Sequence, residues 1–136
     1  MIVKEKIRDT AGLILSLLLT IGSLTFFRAC DSAEGRHMAC HWAQNAVTLI
    51  GIVLVLQSFI KIVINQKGIK TGLAIGTATL AIAVIFIPGT AINLCMMKTM
   101  RCHTVFRPAV TVVSSLLAIV SVIDIITNLR RLGKEK

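Results

Sequence analysis

Residues Trp42–Ile60 read WAQNAVTLIGIVLVLQSFI, nineteen consecutive positions without a charge. As a helix rising 1.5 Å per residue this stretch is about 28 Å long, close to the roughly 30 Å hydrocarbon core of a bilayer. Its bulky side chains recur on every side, so it has no polar face to turn to water, as a soluble surface helix would. Working outward, three more uncharged runs flank it: Thr10–Phe27, Thr71–Met97 and Pro108–Ile123, the last interrupted by Asp124 but apolar again through Leu129. The whole chain of 136 residues is 55% hydrophobic and only 15% charged, with a mean hydropathy of +0.84. A soluble domain carries about a quarter charged residues. The expected fold is an all-α integral membrane protein with four transmembrane helices in a single domain over 1–136.

A net charge of +9 raises nucleic acid as a partner. The basic residues argue against it, because they collect at the ends of the apolar runs. Lys4, Lys6 and Arg8 precede the first run, Lys61, Lys67 and Lys70 separate the second from the third, and Arg130, Arg131, Lys134 and Lys136 follow the fourth. The remaining two loops hold Arg28, Arg36, Lys98, Arg101 and Arg107. Short cytoplasmic loops are the richer in Lys and Arg, which places both termini in the cytoplasm. The inner charges then form a cationic collar that faces phospholipid headgroups. MIVKEKIR followed by an apolar run resembles a signal peptide, yet no small-x-small cleavage site follows and the run exceeds a usual h-region, so helix 1 is expected to stay.

On this topology all four cysteines lie outside. Cys30 and Cys40 flank RACDSAEGRHMACH, and Cys95 and Cys102 flank CMMKTMRCH. Each of these loops ends in Met-x-Cys-His, at Met38–His41 and at Met100–His103, and Ala-Val-Thr recurs just beyond, at 46–48 and 109–111. The chain therefore reads as two parallel helix-loop-helix repeats, about 10–63 and about 71–129, related by an axis along the membrane normal. The short polar turn NQKGIK between them makes helices 2 and 3 antiparallel neighbours. Pro88-Gly89 is expected to kink or end helix 3. Gly72 and Gly76 form a GxxxG that suits close helix packing within the bundle, or a face for a partner.

The repeated pattern resembles a family of small bacterial four-helix membrane proteins classed as a domain of unknown function, whose members show C…MxCHW after helix 1 and C…MxCHT after helix 3. Trp42 and Thr104 complete both signatures here. The resemblance carries no established chemistry. It implies, through the family's association with ABC-type exporter components, an accessory subunit whose partners are other membrane subunits such as an ABC permease.

Three chemistries fit the tetrads. In an oxidising compartment an even cysteine count favours disulfides, and of three possible connectivities the simplest joins Cys30 to Cys40 and Cys95 to Cys102. Closing loops of about ten residues contributes roughly 2.5–3 kcal/mol each. A thiol-redox role is the second option, since four helices with two outer cysteine pairs resemble the quinone-linked disulfide oxidases; the absence of any Cys-x-x-Cys counts against it. The third is a soft-metal or haem site built from His41, His103, Met38 and Met100, where thioether, thiolate and imidazole select Cu(I) or, with Cys and His, zinc. His37 has no counterpart and reads as a solvated loop residue. Trp42 reads as an interface anchor. Asp124, two turns from Arg130 and Arg131, reads as a carboxylate that snorkels to them. The expectation is a non-enzymatic accessory subunit with disulfide-stapled outer loops and no cofactor; the alternative is a thiol-redox, copper, zinc or haem protein.

Overall fold

The structure is a computed structural model that describes residues 2–26, 39–88, 90–91 and 102–134. Four helices account for most of them: α1 (Ile2–Leu24), α2 (Ala39–Val63), α3 (Lys67–Phe86) and α4 (Arg107–Lys134), the last entered through a π-helical turn at Cys102–Phe106. Each helix is long and apolar enough to cross a membrane. α3 stops at Phe86, just before Pro88, whose ring cannot continue a helix. α1 packs chiefly on α2 and α3 chiefly on α4, and α1–α4 and α2–α3 contacts close the ring. The start of α1, the end of α4 and the short α2–α3 turn share one end of this antiparallel bundle. That end is termed the terminal end below, and the opposite one the loop end.

The interior is built from one stripe per helix, and the stripes match. α2 buries Ala43, Val47, Gly51, Leu54, Ser58 and Lys61; the π-helical turn buries Phe106 and α4 buries Val110, Ser114, Leu117, Ser121 and Asp124, each 63 positions later. α1 buries Asp9, Ser16, Thr20 and Ser23; α3 buries Lys70, Thr77, Ala81 and Val84, each 61 positions later. Large apolar side chains such as Leu49, Leu56, Phe59, Ile75, Ile119 and Phe86 point outward, where lipid is their natural solvent. With hydrocarbon outside, the hydrophobic effect does not separate inside from outside. Small and polar residues do, by allowing close approach and bonding across helices.

Those bonds are visible. Near the loop end Gln44 Nε2 donates to the Ser23 carbonyl at 2.9 Å, and the Ser23 and Thr48 hydroxyls lie 3.0 Å apart. Thr77 Oγ1 donates to Gln57 Oε1 at 3.3 Å between α3 and α2. A close helix approach occurs at Gly51, where a Cβ would stand 2.6 Å from Thr20 Oγ1 and 3.4 Å from Thr20 Cα. Of the two GxxxG glycines, Gly76 faces the Gln57 side chain, 3.5 Å from where its Cβ would be, and Gly72 is exposed with nothing within 4 Å.

Candidate functional site

The terminal end carries the chemistry. Asp9, Lys61, Lys70 and Asp124 are all at most 7% exposed, one from each helix. Arg8 Nε donates to Asp124 Oδ1 at 2.6 Å, and Lys61 Nζ donates to Asp124 Oδ2. Lys61 Nζ also lies 3.4 Å from Asp9 Oδ1. Lys70 Nζ donates to Asp9 Oδ2 and to Glu5 Oε1, at 3.2 Å each, and Arg131 Nη1 donates to Glu5 Oε2 at 2.5 Å. Followed in order, Arg8–Asp124–Lys61–Asp9–Lys70–Glu5–Arg131 is one chain of seven ions with strictly alternating sign that passes through all four helices.

The alternation explains how such burial is tolerated. A lone ion taken out of water loses several kcal/mol of hydration, and only well-placed opposite charges offset that. Here each of the five inner members has an opposite charge on both sides. The end members, Arg8 and Arg131, retain 21% and 29% of their side-chain exposure and so keep part of their hydration. Four cations against three anions leave one positive charge in excess.

Two sequence expectations change. Asp124 is a paired carboxylate, but its partners are Arg8 and Lys61 rather than Arg130 and Arg131. Its position on α4 turns it to the bundle axis, and Arg131, about two turns further on, reaches Glu5 instead. The cationic collar is likewise divided: Lys4, Lys6, Lys67, Arg130 and Lys134 are exposed, whereas Lys61 and Lys70 are inward and bound. Glu5, Arg8 and Asp9 went unread as interior residues. Their signal was a stripe of small and polar positions, Ser23, Thr20, Ser16 and Gly12, which continues at a spacing of three to four residues into Asp9 and Glu5.

Beside the ion chain lies a cleft of about 510 Å³ between α1 and the end of α2 with the turn that follows it, lined by Glu5, Lys6, Asp9, Thr10, Asn65 and Lys70 together with Ile62 and Val63. Two of the buried ions, Asp9 and Lys70, line it.

The loop end holds the residues singled out in the tetrads. His41 and His103 occupy equivalent places, at the start of α2 and in the π-helical turn before α4, on helices diagonal to each other in the ring. Neither is without an interaction partner. Trp42 is exposed, as an interface anchor would be. Cys40 and Cys102 lie in the helical segments; Cys30, Cys95, Met38 and Met100 lie outside the described residues. Among the described residues no three His, Cys, Asp or Glu side chains are grouped to hold a metal ion. The π-helical turn also resolves a mismatch of register: the tetrads are 62 residues apart, whereas the buried stripes beyond them are 63 apart. A π turn accommodates the extra residue without breaking the helix, and such turns recur at functional sites.

The chain matches the family model DUF4418, a domain of unknown function, over residues 12–127, and it belongs to that family. Comparison with curated proteins and with solved structures finds no match.

Proposed function

We propose that the chain is a non-enzymatic subunit of a larger membrane complex, an ABC-type exporter being the partner that best suits it, and that it serves as a rigid membrane scaffold. The observation that carries this reading is the ion chain. An alternating-access carrier rocks one half against the other about a central site. In this bundle such motion would pull Asp9 from Lys70 and Lys61 from Asp124, exposing unpaired ions at a cost of several kcal/mol each. A scaffold has no need of that motion. The matched stripes of α1 with α3 and of α2 with α4 support the two-repeat reading, and the excess of Lys and Arg at the terminal end supports a cytoplasmic location for both termini in a bacterial inner membrane. On that orientation the loop end faces an oxidising compartment, and disulfides Cys30–Cys40 and Cys95–Cys102 staple its two loops.

Purification from the native membrane in mild detergent, followed by cross-linking mass spectrometry, tests the reading. A stoichiometric membrane partner with an ABC permease architecture is expected. A chain that purifies alone and oxidises dithiols, or that carries stoichiometric copper, zinc or haem, would overturn it. The latter outcome has one structural observation in its favour: Cys102 and His103 sit in a π-helical turn, at the start of a helix where a thiolate is stabilised.

A further inference from the structure

We infer that the cleft beside the ion chain, together with the outer groove of α1, is a binding site for one phospholipid with a primary-amine headgroup, of the phosphatidylethanolamine type. Depth comes first. The uncharged runs reach the terminal end at Thr10, Ile60, Thr71 and Ile123, and the ion chain lies at or just beyond all four limits. The cleft therefore opens where the hydrocarbon slab gives way to headgroups.

Continuity is the second argument. The polar cleft shares Lys6 and Thr10 with an apolar groove of about 420 Å³ along α1, formed further by Val3, Ile7, Ala11 and Ile14. That groove shares Ile14 with another of about 280 Å³ that runs on through Leu17, Leu18, Ile21 and Gly22 to Phe26. A mixed-charge pocket that adjoins successive apolar furrows along one helix suits a headgroup joined to an acyl chain.

The lining selects the headgroup. Two carboxylates, Glu5 and Asp9, and two lysines, Lys6 and Lys70, face one space, so a ligand of a single sign would meet repulsion from half of it. A zwitterion satisfies both. Lys6 takes no part in the ion chain, is exposed, and is placed with the Asn65 amide to hold the phosphate. Thr10 Oγ1 already donates to the Lys6 carbonyl at 2.8 Å, which leaves its lone pairs to accept. A primary ammonium can donate to that oxygen and to Glu5; a quaternary choline headgroup carries the same charges but has no N–H to give.

The test is lipid retention by native mass spectrometry, on the full chain in detergent with matched phosphatidylethanolamine, phosphatidylcholine and phosphatidylglycerol. Preferential retention of one phosphatidylethanolamine is expected. Lys6→Glu should lower its affinity about tenfold, the size of one lost charge-assisted bond. Ala11→Trp, which fills the groove and touches no ion pair, should lower it as well. Gel filtration and helical content should be unchanged in both variants, since neither residue belongs to the bundle interior. Equal retention of the three lipids, a preference for phosphatidylglycerol, or indifference to both substitutions would overturn the inference. None of these outcomes bears on whether the chain has a protein partner.

Discussion

Lys61 of α2 and Asp124 of α4 occupy equivalent positions on the two inner stripes, 63 residues apart, and bind each other across the bundle. The equivalent pair on the other two helices, Asp9 and Lys70, does the same with the signs exchanged. Four matched positions thus contribute two acids and two bases, arranged so that like charges are never consecutive. Each helix is tied to the one diagonally opposite by an interaction that is worth little when exposed and a great deal when half of it is removed.

Asp124→Leu alone should therefore destabilise the bundle by about 3–5 kcal/mol, because Lys61 and Arg8 lose a shared buried partner. Lys61→Met alone should be comparably severe. The double variant should fall short of the sum by about 1–3 kcal/mol, as contacting residues do. Denaturation in mixed micelles, followed by circular dichroism, measures all three. Strict additivity would mean that the two side chains are not energetically coupled.

Exchanging the pair should not rescue it. In Lys61→Asp with Asp124→Lys, the new carboxylate would arrive near Asp9, now 3.4 Å from Lys61 Nζ, and the new ammonium near Arg8, now 2.6 Å from Asp124. A simple two-residue salt bridge survives inversion; a link in an alternating chain does not. The exchanged protein is expected to be no more stable than the worse single variant, and recovery to wild-type stability would show that the pair acts in isolation.

The spans were legible because nothing but a membrane accommodates nineteen residues such as Trp42–Ile60 without a charge. The end of α3 was legible from Pro88. The interior was harder to read, since in lipid the bulky residues face out and hydropathy loses its directional meaning. What does point inward is polarity at helical spacing. Ser114, Ser121, Asp124 and Asn128 recur every three, four or seven residues on α4, and all are buried. Read that way, Asp124 belongs with the interior, whereas proximity in sequence linked it to Arg130 and Arg131. Which lysine it meets depends on how α2 and α4 are juxtaposed, and no local pattern encodes that. The register change at Cys102–Phe106 was likewise hidden until the buried stripes could be counted.

Ser114 offers a small, clean test of interior polarity. Its hydroxyl is fully buried and has no hydrogen-bond partner among the described residues. Leaving such a group unsatisfied costs about 1–3 kcal/mol. Ser114→Ala removes the orphan and keeps the small volume, so stability should stay level or rise by about 1 kcal/mol. Ser121→Ala, whose hydroxyl donates to the Leu117 carbonyl at 2.9 Å, should bring no such gain. A loss at position 114 larger than at 121 would indicate that the hydroxyl has a bound partner.

At the loop end the staple and the site make opposite predictions. If Cys30 and Cys40 are joined, Cys30→Ser and Cys40→Ser should each lower folded yield, and the double variant should be no worse than either, because one covalent link is broken in every case. His41→Ala and His103→Ala should then be mild, about 1 kcal/mol each. Peptide mapping under non-reducing conditions should find 30 linked to 40 and 95 to 102. Wild-type folding of the cysteine variants, with a bound metal or haem lost in both histidine variants, would reverse the assignment.

The glycines separate close packing from the pattern that suggests it. Gly51 meets Thr20 at a distance no Cβ can share, 2.6 Å from the hydroxyl oxygen and 3.4 Å from the threonine's Cα, so the neighbour has little room to yield. Thr20 Oγ1 is also held in place, donating to the Ser16 carbonyl at 2.9 Å. Gly51→Ala should therefore force α1 from α2 and destabilise the bundle by about 1–3 kcal/mol, despite alanine's better helix propensity. Thr20→Ala removes the obstructing hydroxyl and should restore much of the loss, a rescue that identifies the contact. Gly72→Ala meets open space and should leave the isolated bundle as stable as before or slightly more so, by up to about 1 kcal/mol. The sensitive substitution there is Gly72→Leu, measured on the assembled complex: if the outer face of α3 seats a partner helix, association should weaken while the free chain stays folded. Equal thermal stability of Gly51→Ala and Gly72→Ala would contradict the placement of the α1–α2 contact.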